Sequence, residues 1–126
     1  MNLVISTTKG WNIGDQFIFA GVKSLLRKAW GDFQHVVHNR NPELLPKGGE
    51  PSHVAIRSGW ADAFVVAGSP GWTGECSAIY RTAMKHGVPI YIIGIGAGVP
   101  QPHLMQEVLD SVQIKAALNE AKLVIC

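Results

Sequence analysis

Charge and cysteine are both scarce in this chain. Only 16% of its 126 residues are charged, and eleven basic against nine acidic residues leave a net charge of +2. The cations are scattered, with no basic block to track a phosphate backbone, so nucleic acid is not implied as a partner. The two cysteines, Cys76 and Cys126, do not form a CxxC pair, and a single bridge between them would be an odd staple for so apolar a chain. A reducing, cytoplasmic setting is expected. No apolar run approaches the length of a membrane span. The opening "MNLVISTTKG" has no basic start and too short an apolar run for a secretory signal. His35 and His38 have no partners at metal-ligand spacing, and His53, His86 and His103 read as isolated, so no metal is expected. No cofactor is implied either.

What is abundant is apolar residues, 47% of the chain, in a length that suits one compact domain at 1–126. "NLVIS" (2–6) reads as a first strand. From Asp15 to Trp30, Ile18, Val22, Leu25, Leu26 and Ala29 form the stripe of a one-sided helix, which Gly31-Asp32 ends. "FQHVVH" (33–38) suits a second strand. The stretch 39–52, with three prolines and two glycines, reads as loop, and 53–60 as a turn of helix. "DAFVVAG" (62–68) is a third strand. Residues 75–87 form a helix closed by Gly87, and 88–98 a fourth strand with Pro89 at its first position. Two short helices are expected over 102–121 before a last strand, "KLVIC". The chain stops inside that strand, and the expectation is a fragment or a domain of a longer protein.

Apolar strands separated by helices are the pattern of a parallel sheet covered on both faces. The fold expected is a Rossmann-like three-layer α/β/α domain with a mainly parallel five-stranded sheet. Strand orders 2-1-3-4-5 and 3-2-1-4-5 both fit, the short third connection favouring the first.

Ligands in such sheets bind at the carboxyl ends of the strands. Three of those ends carry unusual residues: Lys9, Asn12, Gly14 and Asp15 after the first strand; Gly68, Ser69 and Trp72 after the third; Gly94, Gly96 and Gly98 after the fourth. Glycine admits close backbone approach, and a following helix start supplies free N–H groups. These ten residues are the candidate ligand contacts. Each has a plainer alternative. Asp15 is equally a first-turn acid that complements the helix dipole, and Asn12 a turn former. Lys9 is either a ligand cation or solvated. Trp11 and Trp72 either stack on a ligand or pack in the core. Cys76 falls in a helical first turn, where a thiolate is favoured, or is a buried inert thiol. The loops offer Lys9 and little other positive charge.

The familiar nucleotide motifs are missing. Gly94, Gly96 and Gly98 are followed by Val99 and Pro100, not by the pattern that opens a dinucleotide-binding helix, and no P-loop is present. No nucleophile elbow occurs either, and no catalytic residue is assigned.

Four segments together resemble the polysaccharide pyruvyltransferase family. "GWNIGDQFIFAGVKSLL" is similar to its N-x-G-D corner opening the first helix. "DAFVVAGSPGW" resembles its Asp, apolar strand and Gly-rich loop, with Gly68-Ser69-Pro70 where the family commonly has Gly-Gly-Gly. "GVPIYIIGIGAGVP" resembles its Pro-led strand and G-x-G-x-G-x-P, and "LNEAKLVIC" the stretch that runs on into Arg-Asp. The resemblance implies the N-terminal, acceptor-side half of a two-domain, GT-B-like enzyme. Such an enzyme moves a pyruvyl unit from phosphoenolpyruvate to a sugar of a cell-surface polysaccharide, with the donor and acid–base residues largely in the C-terminal half. On that reading the isolated chain is inactive. Two alternatives stand beside it: a stand-alone small-ligand-binding or homodimeric interaction module, and a nucleotide-sugar-using glycosyltransferase domain.

Overall fold

The structure, a computed structural model, describes residues 1–8, 13–40, 51–68, 74–94, 119–120 and 122–125, with backbone alone at 74–77 and 123–125. The elements run β1 (Asn2–Thr7), α1 (Ile13–Trp30), β2 (Gln34–Asn39), α2 (Pro51–Arg57), β3 (Ala63–Ala67), α3 (Gly74–Lys85), β4 (Ile90–Ile93) and β5 (Leu123–Ile125). The sheet order is β2-β1-β3-β4-β5, the first of the two orders expected, and every neighbouring pair is parallel.

Strand residues alternate between two cores, as the two-residue period of a strand requires. Leu3, Ile5, Ala63, Val65 and Ala67 pack with Val22 and Leu26 of α1 on one face. Val4, Phe64, Val66, Ile90 and Ile92 pack with Ala55 and Ile56 of α2 and with Ile79, Tyr80 and Ala83 of α3 on the other. β1 and β3 are apolar on both faces because both faces are covered. Each large side chain fully buried there contributes about 1.5–3 kcal/mol.

Several expectations need correction. On α1 the buried stripe is Asp15, Val22 and Leu26, flanked by half-buried Phe19 and Trp30. Ile18 and Leu25 are 39% and 56% exposed, and Ala29 is exposed. The helix is rotated so that its aromatic flank meets the sheet, Trp30 standing edge-on to Tyr91 with centroids 4.9 Å apart. A helix, α2, begins at Pro51, inside the stretch read as loop. Proline at a first helical position loses no hydrogen bond, so Pro51 starts the helix. Pro89 precedes β4, which runs only from Ile90 to Ile93. The helices expected over 102–121 lie outside the described residues except Asn119 and Glu120, which are helical.

The helix stops fall where the glycines put them. Gly31 and Gly87 have φ of +79° and +66°. Gly31 N–H donates to Arg27 O, and Val88 N–H reaches back to Ala83 O to close α3.

His35, at the sheet edge, sits among Phe19 and Phe33, each ring centroid 5.9 Å away. Lys23 lies over Phe19 and Arg27 over Phe33. Burial, then the charges of Lys23 and Arg27, hold the His35 pKa below its ordinary 6.5. The unfolded chain therefore binds more protons at mildly acidic pH. This share of stability is complete above the unfolded pKa and is lost as pH falls toward the folded one. Urea unfolding at about pH 7.5 and about pH 5.5 is expected to show a smaller acid loss in His35→Gln than in wild type. Equal losses would assign the slope to other groups.

Candidate functional site

Because all strands are parallel, their carboxyl ends share one edge. The register places Asn39, Thr7, Ala67 and Ile93 in a row along it. α1 leaves β1 toward one face and α3 leaves β3 toward the other, which makes the ends of β1 and β3 the switch point at which sheets of this order form their ligand crevice. An open hollow of about 260 Å³ lies at the opposite edge, lined by Met1, Asn2, Asp32, Phe33 and Gln34. Chain geometry favours the carboxyl edge as the ligand site.

Four of the ten expected contacts are described, and all four lie at this edge. Gly14 and Asp15 occupy the first turn of α1, over the end of β1. Asp15 is buried, on the sheet-facing side of its helix. Gly68 directly follows β3 and Gly94 directly follows β4, with φ of +60° and +68°. Lys9, Asn12, Ser69, Trp72, Gly96 and Gly98 lie outside the described residues, as does Trp11. Cys76 is in the first turn of α3, as expected from the sequence.

The two described turn glycines are glycine for different reasons. A Cβ on Gly94 would meet nothing within 4 Å, so its positive φ alone explains the residue. A Cβ on Gly68 would come within 2.4 Å of Ile18 Cγ2. Gly68 therefore lets α1 close onto the end of β3, and Ile18 fills the space a side chain would take.

The sequence reading missed Arg40, which corrects the expectation that Lys9 is nearly the sole positive charge. Arg40 follows β2 and is buried. Its backbone N–H donates to Thr7 O at 2.9 Å, which pins it to the end of β1. Its Nη2 then reaches across to donate to Ala67 O at 3.1 Å and Gly68 O at 2.5 Å. One guanidinium thus spans the β1/β3 crevice and ties the β2 end to the β3 end. The available signal was its position directly after a strand, obscured by the prolines that follow.

The histidines also need correction, because His53 is not isolated. His38 Nδ1 lies 3.1 Å from Ser52 Oγ, and the His38 and His53 rings stand nearly perpendicular at 6.0 Å. Thr82 Oγ1 donates to Ala78 O, so it accepts from His53 Nδ1–H at 3.0 Å. These pairs join β2, α2 and α3, and His38 and Ser52 are buried. Among the described residues no three His, Cys, Asp or Glu come together as a metal site requires. No helix among them is long and apolar enough to cross a membrane.

The family model for polysaccharide pyruvyl transferase matches residues 12–126. No curated protein matches the chain. A crystal structure described as a conserved protein from Enterococcus faecalis V583 is similar, with a TM-score of 0.54 at 12% identity over 100% of this chain and 92% of that one. At that identity the likeness shows the fold alone.

Two substitutions test this edge. Gly68→Ala is expected to cost ~1–2 kcal/mol in backbone strain and a further ~1–3 kcal/mol from the clash with Ile18. Adding Ile18→Ala recovers the second share, and strict additivity in urea unfolding would show that no clash exists. Arg40→Met, which keeps the stem and leaves two strand-end carbonyls unmet, is expected to cost ~1.5–3 kcal/mol. Arg40→Lys recovers only part of that, because an ammonium lacks the fork.

Proposed function

Since the chain belongs to the polysaccharide pyruvyl transferase family, we propose that it forms the N-terminal, acceptor-side half of a two-domain, GT-B-like enzyme of the cytoplasm. That enzyme transfers a pyruvyl unit from phosphoenolpyruvate to a sugar of a cell-surface polysaccharide. The half is a Rossmann-like layer at 1–126, and alone it binds acceptor without turnover. Lys9, Asn12, Ser69, Trp72, Gly96 and Gly98 belong to the same contact set as Gly14, Asp15, Gly68 and Gly94.

The observation that carries this reading is the coincidence of two independent patterns. The family match runs through the segments that open α1 and close β3 and β4. Those segments meet one edge of a sheet whose strand order puts a crevice there. The charge balance supports the acceptor side. Phosphoenolpyruvate carries a phosphate and a carboxylate and needs several cations to hold it. At the described strand ends the guanidinium of Arg40 is committed to two carbonyls, and Asp15 adds an acid.

A second reading draws on the fold match. A similar layer fills 92% of a solved chain, so this architecture also occurs in a chain of comparable span. On that reading the protein is a small-ligand or homodimeric module whose open sheet edge pairs with a second copy.

An amide-resolved NMR titration separates the readings. Methyl glycosides are expected to shift Thr7, Gly14, Asp15, Arg40 and Gly68, while phosphoenolpyruvate and UDP-glucose leave them in place. A UDP-glucose response at these amides would replace the pyruvyltransferase reading with a nucleotide-sugar one. A stable dimer by sedimentation, with no response to glycosides, would favour the module.

A further inference from the structure

Large apolar side chains are exposed at six of the described residues, and four of these, Ile13, Phe17, Ile18 and Leu25, lie on α1. Met1 and Val54 stand elsewhere. Single exposed apolar residues are ordinary on a protein surface, whereas a cluster marks a contact. Successive helical residues turn by about 100°, which gathers the four into one arc of about 140°. That arc is turned away from the side on which Val22 and Leu26 are buried. It also holds Gly14, Gly21 and Ser24, all small, and Lys28. Ile13 and Phe17 are 72% and 73% exposed, and Leu25 is 56% exposed. From Ile13 to Leu25 the arc runs about 18 Å along the axis, away from the carboxyl edge of the sheet. A molecule that meets only that edge leaves Leu25 uncovered.

The charge of this helix is one-sided. Its cations are Lys23, Arg27 and Lys28, and its single acid, Asp15, is buried. Lys23 and Arg27 lie over the Phe19 and Phe33 rings, and among the described residues no carboxylate pairs with any of the three. Lys28 falls inside the apolar arc and Arg27 at its border, and both are exposed. Asp32, past the end of the helix, lines the hollow at the opposite edge.

This charge decides between occupants. A second copy on the same face would bring two sets of cations together with no acid to offset them. α1 also has only 18 residues, fewer than the about 20–30 a side of a stable protein interface. An anionic bilayer meets both features at once, attracting the cations and taking up the apolar side chains.

We propose that α1 is a membrane-surface helix that lies flat on an anionic phospholipid leaflet. Ile13, Phe17 and Leu25 enter the boundary between headgroups and acyl chains, and Arg27 and Lys28 meet lipid phosphates. No described helix is long and apolar enough to span the bilayer, so α1 rests on it. The strands then run parallel to the leaflet, and their carboxyl edge opens along it. This docking goes beyond the acceptor-side reading and does not rest on it.

The test is co-sedimentation of the full chain with vesicles of equal parts phosphatidylcholine and phosphatidylglycerol, and with phosphatidylcholine alone. Wild type is expected to bind the anionic vesicles, to bind them less as salt rises, and to leave the neutral ones. Phe17→Gln is expected to weaken binding about 10-fold or more, and Leu25→Gln about 3- to 10-fold. Arg27→Gln and Lys28→Gln are expected to weaken it about 5-fold each. All four side chains are exposed, so the thermal midpoints change little. Wild type that ignores anionic vesicles overturns the proposal, as does equal binding to neutral ones. Full affinity in both Phe17→Gln and Leu25→Gln places the contact elsewhere and overturns it too. A dimer in sedimentation equilibrium that Phe17→Gln dissociates assigns the face to a second copy and overturns the membrane as its occupant. None of these outcomes touches the glycoside response on which the functional reading stands.

Discussion

β1 is hydrogen-bonded to β2 on one side and to β3 on the other, both in parallel, and this double pairing dictates where the chain goes next. A parallel neighbour is reached only by a crossover, so α1 returns across one face to deliver β2. α3 returns across the other face to deliver β4. Crossovers that diverge from two adjacent strands leave their carboxyl ends uncovered between them. The crevice is therefore a consequence of the pairing. It arises wherever the order reads 2-1-3-4, whatever residues line it.

Lining it with these residues ties the layers together. Arg40 joins the ends of three strands through one backbone bond and two side-chain bonds. Gly68, lacking a Cβ, admits Ile18 and so fixes how closely α1 approaches β3. On the other face, His38 with Ser52 and His53 with Thr82 join β2, α2 and α3. Polar contacts thus reinforce, within each layer, elements that the two apolar cores already bring together. An error at Gly68 would be felt at the start of α1, which is also where Asp15 sits.

Much of this architecture was legible in the sequence. Strands buried on both faces read as continuous apolar runs, and β1, β3 and β4 were evident for that reason. Gly31 and Gly87 marked their helix ends because a positive φ leaves few other choices. The α1 stripe was misplaced because Ile18 and Leu25 are apolar without being buried, and periodicity weighs hydrophobicity and not contact. α2 was begun too late because proline serves both loops and first helical turns. Of the site, the glycine-bearing strand ends were visible as residue types. Arg40 was not, because its role depends on β2 lying two strands from β3, a fact of sheet order that no local window contains. The His38–His53 pair was missed for the same reason, since fifteen positions separate residues that meet only when α2 folds over β2.

The crevice carries charges of both signs, yet neither is simply on offer. The guanidinium of Arg40 donates to Ala67 O and Gly68 O, the negative ends of strand-terminal peptide dipoles. The carboxylate of Asp15 faces the positive end of α1. Each charge is therefore offset by backbone dipoles of the opposite sign, and the net field at the described strand ends is small. A site of that kind gains little from a doubly anionic donor, whose desolvation would go uncompensated. That balance supports the acceptor-side reading proposed above, on which the cations that hold phosphoenolpyruvate belong to the other half of the enzyme.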